Sequence, residues 1–315
     1  MYSKLKIFTG NANVKLAKDV ARYAGIPLGD AEIFKFSNDN TFVKIKENVR
    51  GTNVFIIQPT CYPVNDNLME LLIMIDAFKR ASAKYINCVI PYFAYARSDK
   101  KDQPRVPITA KLVADLLTSA GASRVICMDL HSEQIQGFFN IPVDHLTSMP
   151  IYARYFMTHL DLSKAVVVSP DTGGTARARL MSEKINCDLA IGDKRRLSND
   201  SNAEVLNLIG DVKDKTAILF DDIIDTGGSL AKMGSLLVKK GATHIYAACS
   251  HGILSGNAVQ KIEKSPIEKL FITDSIPLTP ENQKSEKIEQ ISIAELLAIA
   301  IKKIHTEESL SILFR

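Results

Sequence analysis

The sequence predicts an α/β fold of mainly parallel sheets flanked by helices, and three observations carry that reading. Short apolar runs rich in β-branched and aromatic residues alternate with longer amphipathic segments, the rhythm of strand, helix, strand. The strand candidates are apolar almost throughout, as strands covered on both faces must be. Two stretches, LLTSAGASRVICMDLH (116 to 131) and LLVKKGATHIYAACSH (236 to 251), share Leu, Leu, Gly, Ala and His in register, which hints at duplicated halves.

The clearest strands are NVFIIQP (53 to 59), YINCVIPY (85 to 92), RVICMDL (124 to 130), KAVVVSP (164 to 170), TAILFDD (216 to 222) and HIYAACS (244 to 250). Between them, Asn65 or Asp66 is placed to cap LMELLIMIDAFKRA, Thr109 or Pro107 to open ITAKLVADLLTSAG, and Ser229 to open LAKMGSLLVKKG. Gly121 and Gly241 stand where the last two helices should stop. The halves meet near Met149 to Tyr152, dividing the chain into 1–149 and 150–315, with segment 288–306 expected to return to the first half. No Gly/Ser linker marks the join, which predicts tightly packed halves.

A chain of 315 residues is long enough for two domains at about 100–200 residues each. Apolar residues at 46% and charged residues at 23% exclude a disordered, collagen-like or rod-like protein. Thirty-nine basic against 35 acidic side chains leave +4, too small and too evenly spread for a nucleic-acid footprint. An anionic partner must therefore be held locally. Five scattered cysteines, with no CxxC pair, read as buried reduced thiols. The start MYSKLKIFTG does not resemble a secretory leader, and the longest apolar runs, LLIMI and LLAIAI, fall far short of a membrane span. The expectation is a cytoplasmic protein that binds neither membrane nor nucleic acid.

The most informative window is AILFDDIIDTGGSL (217 to 230): an apolar strand, two carboxylates, then Asp225, Thr226, Gly227, Gly228 and Ser229 opening a helix. A Gly-rich turn at a helix start aims several backbone N–H groups into one small volume, where the helix dipole adds positive potential. Such a turn holds a phosphate. Asp221 and Asp222 end a parallel strand, where open α/β sheets place their ligands, and adjacent carboxylates accept hydrogen bonds from sugar hydroxyls or approach a hydrated metal. A purely structural account has Asp225 capping the helix and the glycines making the turn, but it leaves the acid pair unexplained. Phosphate plus acid pair suggests a phosphorylated sugar.

This window resembles the phosphoribosyl diphosphate signature of the type I phosphoribosyltransferase fold. The wider match is to the ribose-phosphate diphosphokinase family, through ENVRG (47 to 51), NDNLMELLIMIDAFKRASA (65 to 83), PYFAYARSDKK (91 to 101) and PITAKLVADLL (107 to 117). It continues through MDLHSEQIQGFFNIPVDHL (128 to 146), SPDTGG (169 to 174), DKRR (193 to 196) and ESLSILF (308 to 314). The resemblance implies two tandem phosphoribosyltransferase-like domains and Mg²⁺-dependent transfer of a diphosphoryl group from ATP to the anomeric hydroxyl of ribose 5-phosphate. The products are 5-phospho-α-D-ribose 1-diphosphate and AMP, and the role is in nucleotide biosynthesis.

Site residues follow from the same resemblance. Lys194 and Arg196 match the catalytic basic pair on a mobile segment that folds over the substrates, with Arg195 pointing elsewhere. Asp221, Asp222, Asp225, Thr226, Gly227, Gly228 and Ser229 would bind ribose 5-phosphate; His131 and Asp171 would touch the metal carried by ATP. Nucleotide contacts would come from Arg97, Ser98, Asp99 and His131 and, across a subunit interface, from Phe36, Asn38 and Asn40. Here the chain departs from the family pattern: Asp39 replaces Gly, Asn40 replaces Glu and Ser98 replaces Gln. An asparagine still offers an acceptor oxygen to an exocyclic amine. Arg50, Ser132, Gln136, Asp144, Ser309, Ser311 and Phe314 match a second anion site where phosphate activates and ADP inhibits. The family assembles as dimers within a homo-hexamer. Two rivals stand beside this reading: a non-catalytic regulatory subunit of such a synthetase, and an ordinary phosphoribosyltransferase.

Overall fold

The computed structural model describes residues 4–196 and 204–314, with the side chains of 194–196 and 204–206 outside that description. It divides into two compact units, one of 1–147 with 275–277 and 292–315, the other of 148–274 with 278–291.

The first unit runs β1 (Leu5–Thr9), α1 (Val14–Ala24), β2 (Ala31–Lys35), β3 (Thr41–Ile45), β4 (Asn53–Ile57), α2 (Val64–Arg80), β5 (Tyr85–Ile90), α3 (Thr109–Ala120), β6 (Arg124–Met128) and β7 (Val143–Leu146). Strands β1, β4, β5, β6 and β7 form one sheet in that order, every neighbour parallel. Strands β2 and β3 make a separate antiparallel hairpin. Val54, Ile56, Cys88, Ile90, Val125 and Cys127 pack with Leu71, Met74, Phe78, Val113 and Leu117 of α2 and α3. The alternate residues Phe55, Ile57, Val89 and Ile126 are equally buried, as a doubly covered sheet requires.

The second unit contains α4 (Met149–His159), β8 (Ala165–Ser169), α5 (Thr175–Lys184), β9 (Asp188–Arg196), β10 (Glu204–Ile209), β11 (Thr216–Ile224), α6 (Gly228–Lys239), β12 (His244–Gly252), α7 (Ala258–Glu263), β13 (Lys269–Thr273) and β14 (Ile288–Ile291). Its sheet has the order β10, β9, β8, β11, β12, β13, β14, parallel except for the β9 to β10 pair. One face carries Met233, Leu237 and Ile262 from α6 and α7; the other carries Tyr152, Phe156 and Met181 from α4 and α5. Burying each such side chain is worth about 1.5–3 kcal/mol. Tyr152 also keeps its hydroxyl satisfied by donating to the carbonyl of Cys249 at 2.6 Å.

After β14 the chain rejoins the first unit, where α8 (Ala294–His305) packs on α1. Every predicted strand is present, with β11 and β12 each two residues longer than expected. Two helix starts differ from expectation. Helix α2 begins at Val64 with Pro63 in the N-cap position, where its carbonyl accepts the Asn67 N–H at 3.0 Å, so Asn65 and Asp66 lie inside the first turn. Helix α6 begins at Gly228 behind Gly227 and has no side-chain cap, so Ser229 is its second residue. None of the five cysteines is in a disulfide, and burial pushes the thiols of Cys61 and Cys88 up to about 11 and about 12. No helix among the described residues is long and apolar enough to cross a membrane.

Candidate active site

In the second unit, parallel strands β8 and β11 lie side by side and deliver two turns to the same edge of the sheet. The turn after β11 starts with the acid pair. Asp222 is buried, only 3% exposed, and Asp221 is partly buried beside it. Arg177, in the first turn of α5, donates from Nη1 to Asp221 Oδ1 at 3.2 Å and to Asp222 Oδ1 at 3.0 Å. Asp221 Oδ1 also accepts the Asp222 backbone N–H at 2.9 Å. Burial, and next the Asp222 charge, push the Asp221 carboxyl well above the usual carboxylate range, while the Arg177 guanidinium pulls it back. The pair thus stands ready for hydroxyl donors, with its counter-charge fixed behind it.

Residues 225–227 then turn the chain into α6. Gly227 holds φ 69°, the left-handed region, and a Cβ there would stand 3.2 Å from the Ala258 carbonyl oxygen. The turn is braced from outside: Ser255 Oγ donates to Asp225, and Lys261 Nζ donates to the Thr226 carbonyl at 3.0 Å. Because α6 lacks a side-chain cap, its first N–H groups remain available to an anion. The structural account in which Asp225 caps the helix does not hold, since the N-cap position belongs to Gly227.

The neighbouring turn, SPDTGG, folds back on itself. Ser169 Oγ donates to the Asp171 carbonyl at 2.6 Å, and Asp171 Oδ1 accepts the Gly174 N–H at 3.1 Å. Gly174 faces the acid pair so closely that a Cβ would stand 3.0 Å from Ser169 Oγ and 3.8 Å from Asp221 Oδ1. Asp171 itself is exposed. Lys194 and Arg196 lie at the end of β9, their backbones opposite Leu206 and Glu204, and their side chains lie outside the described residues.

In the first unit, His131 is exposed just past β6. Arg97, Ser98 and Asp99 sit in the long connection 91–108 between β5 and α3. Ser98 is turned to the start of α3, its Oγ 3.2 Å from Thr109 Oγ1 and accepting the Thr109 N–H at 3.4 Å. Phe36, Asn38 and Asn40 share the tip of the β2–β3 hairpin, where Phe36 is 48% exposed and packs against Phe34 and Phe42. Asn38 Oδ1 accepts the Asn40 N–H at 3.2 Å. Asp39 takes φ 67°, the conformation a glycine would adopt freely, and accepts Lys35 Nζ at 2.8 Å.

Several of the residues matched to a second anion site have local side-chain partners. Asp144 accepts Arg124 Nη1 at 2.6 Å, Ser132 Oγ donates to Gln134 at 2.6 Å, and Gln136 Nε2 donates to the Glu133 carbonyl at 3.0 Å. Ser309 and Ser311 hydroxyls lie 2.8 Å apart, Phe314 is 45% exposed, and Arg50 is exposed beside Asn48. Among the described residues no three His, Cys, Asp or Glu side chains cluster as a metal cage. Asp171 in the second unit and His131 in the first are each exposed, and each by itself offers the single accessible donor that a metal keeping most of its waters would need. Sequence reasoning missed Arg177 and Lys261. The signal for Arg177 was available: an acid pair at a buried strand end needs a cation, and TARAR follows SPDTGG directly.

Fold and site define an α/β protein whose second unit carries a strand-end acid pair followed by an uncapped helix start. A model of the N-terminal domain of ribose phosphate pyrophosphokinase matches residues 5–121, and one of the phosphoribosyl synthetase-associated domain matches residues 198–315. A ribose-phosphate pyrophosphokinase from Caldanaerobacter subterraneus subsp. tengcongensis is 57% identical over 312 residues, covering 99% of this chain and 98% of that protein. One from Clostridium perfringens is 54% identical over 313 residues, with the same coverage. The crystal structure of phosphoribosylpyrophosphate synthetase from Mycobacterium smegmatis superposes with a TM-score of 0.92 at 39% identity, covering 97% of this chain and 100% of that one. The chain belongs to the ribose-phosphate pyrophosphokinase family.

Proposed function

We propose that the chain transfers the β,γ-diphosphoryl group of ATP to the anomeric hydroxyl of ribose 5-phosphate, releasing AMP and 5-phospho-α-D-ribose 1-diphosphate. The observation that carries the reading is the joint between β11 and α6: a carboxylate pair backed by Arg177, followed within a few residues by an uncapped helix start. The helix N–H groups and Ser229 take the 5-phosphate, and Asp221 and Asp222 accept from the ribose hydroxyls. That fixes the anomeric oxygen in position.

In the reaction the anomeric oxygen bonds to the β-phosphorus, the bond from that phosphorus to the α,β-bridging oxygen breaks, and AMP leaves with the bridging oxygen. The hydroxyl proton passes to solvent. Lys194 and Arg196 would stabilise the charge that develops on the transferred group, where preorganised donors act most strongly. Mg²⁺, approached by His131 and Asp171, would neutralise phosphate charge when it arrives with ATP. Phe36, Asn38, Asn40, Arg97, Ser98, Asp99 and His131 would hold the nucleotide, the hairpin residues reaching a neighbouring subunit. We assign Arg50, Ser132, Gln136, Asp144, Ser309, Ser311 and Phe314 to a phosphate-activated, ADP-inhibited site, in a cytoplasmic homo-hexamer built from dimers.

The test is product identity. Chain, ribose 5-phosphate and Mg-ATP should yield AMP and the diphosphate ester in equal amounts, with activity tracking added inorganic phosphate. Release of ADP or of free phosphate in place of AMP would overturn the mechanism.

A further inference from the structure

Strand β6 ends at Met128, and the chain then makes a strained turn: Asp129 has φ 37°, a left-handed conformation that a non-glycine residue adopts at a cost. Something outside the turn must hold it. Two consecutive backbone donors supply the answer. The Asp129 N–H donates to the Leu146 carbonyl at 2.9 Å, and the Leu130 N–H donates to Nε2 of His145 at 2.8 Å. Both acceptors belong to β7, the parallel neighbour of β6.

The second bond is unusual in kind. Most backbone donors at a strand end find a carbonyl or water; here the acceptor is a ring nitrogen reaching across from the next strand. Accepting through Nε2 requires that nitrogen to be unprotonated, which fixes the ring's tautomer and orientation. The next residue after Leu130 is His131, which the turn presents to solvent. A one-residue lever therefore connects the ring of His145 to the direction in which His131 points.

We propose that His145 is a positioning residue: through the Leu130 N–H it holds the 129–131 turn so that His131 meets the metal–nucleotide complex. The inference rests on the reading of His131 given above. His145 touches neither substrate in this account; its contribution is the fixed acceptor, in the way outer partners fix inner ligands.

Four variants of the full chain test it. His145→Leu removes the acceptor, His145→Gln returns one at the reach of Nε2, and His145→Asn returns one that stops near the position of Nδ1. His131→Ala tests the underlying reading. The readouts are KM for Mg-ATP against KM for ribose 5-phosphate, and hydrogen exchange of the Leu130 amide in protein without metal or nucleotide. Expected is loss of Leu130 protection in the Leu and Asn variants. Their kcat/KM for Mg-ATP should fall by about 10–100-fold, with KM for ribose 5-phosphate unchanged and near-parental behaviour for Gln. If the Leu variant does not fold, the Gln against Asn contrast reads the same outcome. Equal impairment of Gln and Asn, or unchanged Mg-ATP kinetics in Leu, would overturn the positioning role while leaving that of His131 intact. Unchanged Mg-ATP kinetics in His131→Ala would overturn the reading beneath it.

Discussion

The β5–α3–β6 segment of the first unit and the β11–α6–β12 segment of the second are the same construction, a central parallel strand, a helix and the next strand of the sheet, yet their joints are built oppositely. In the second unit, three residues, 225–227, carry the chain from strand to helix, and the helix start has no side-chain cap. In the first unit the connection is the long loop 91–108, and it closes its own helix: Ser98 offers its hydroxyl to the Thr109 N–H and its carbonyl to the Ala110 N–H. A short turn leaves backbone donors for an anion. The long loop instead engages the first two N–H groups of α3 itself.

The largest effect belongs to a cation supplied by neither joint: Lys194→Ala should cost about 2.7–4 kcal/mol of transition-state stabilisation, read as a 10²–10³-fold drop in kcat. Turnover equal to the parent's would remove Lys194 from catalysis.

Next comes the cation behind the acid pair. Arg177→Met should remove about 1.5–3 kcal/mol of charged hydrogen bonding. Without it Asp221 ionises only at higher pH, so the acidic limb of kcat/KM for ribose 5-phosphate moves to higher pH. A profile that stays in place would separate Arg177 from the pair. The same geometry makes a stability prediction. Folded Asp221 binds its proton more tightly than the unfolded residue, which favours folding at acid pH and disfavours it as pH rises from about 4 through the raised value. Asp221→Asn should therefore raise Tm at about pH 8, with the gain vanishing near pH 3, while ribose 5-phosphate binding is lost.

Gly227→Ala comes third. A methyl group at φ 69° and 3.2 Å from the Ala258 carbonyl costs about 1–3 kcal/mol, expressed as a raised KM for ribose 5-phosphate with little change in KM for Mg-ATP. The smallest effect is in the opposite joint. Ser98→Ala should lower stability by about 0.5–1.5 kcal/mol, the net value of one hydrogen bond, and leave KM for ribose 5-phosphate unchanged.

Much of this was legible before any coordinates. Near-continuous apolar strands, glycines at helix ends and the 217 to 230 window were enough to place β4, β5, β6, β8, β11 and β12, the helices α2, α3 and α6, and the glycine turn that opens α6, but not β1, β7, β9, β10, β13 or β14. What stayed hidden was whatever depends on contacts between distant residues. Nothing local in TARAR says that Arg177 is the arginine facing the acid pair; that follows from β8 and β11 being neighbours. Ser98 reads as a shortened nucleotide contact, and nothing local shows that its hydroxyl also meets the start of α3. Likewise, the shared His of the two similar segments ends up exposed at His131 and 2% exposed at His251, because only the first lies beyond its strand. Asn65 and Asp66 lost the helix cap to Pro63, and Asp66 instead pairs with Lys35 at 2.9 Å.

The most direct test of the joint between β11 and α6 is a crystal structure of the chain with ribose 5-phosphate bound. The account predicts the 5-phosphate against the backbone N–H groups at the start of α6 and the ribose hydroxyls on Asp221 and Asp222. An ordered sugar phosphate elsewhere, with that helix start bare, would contradict it.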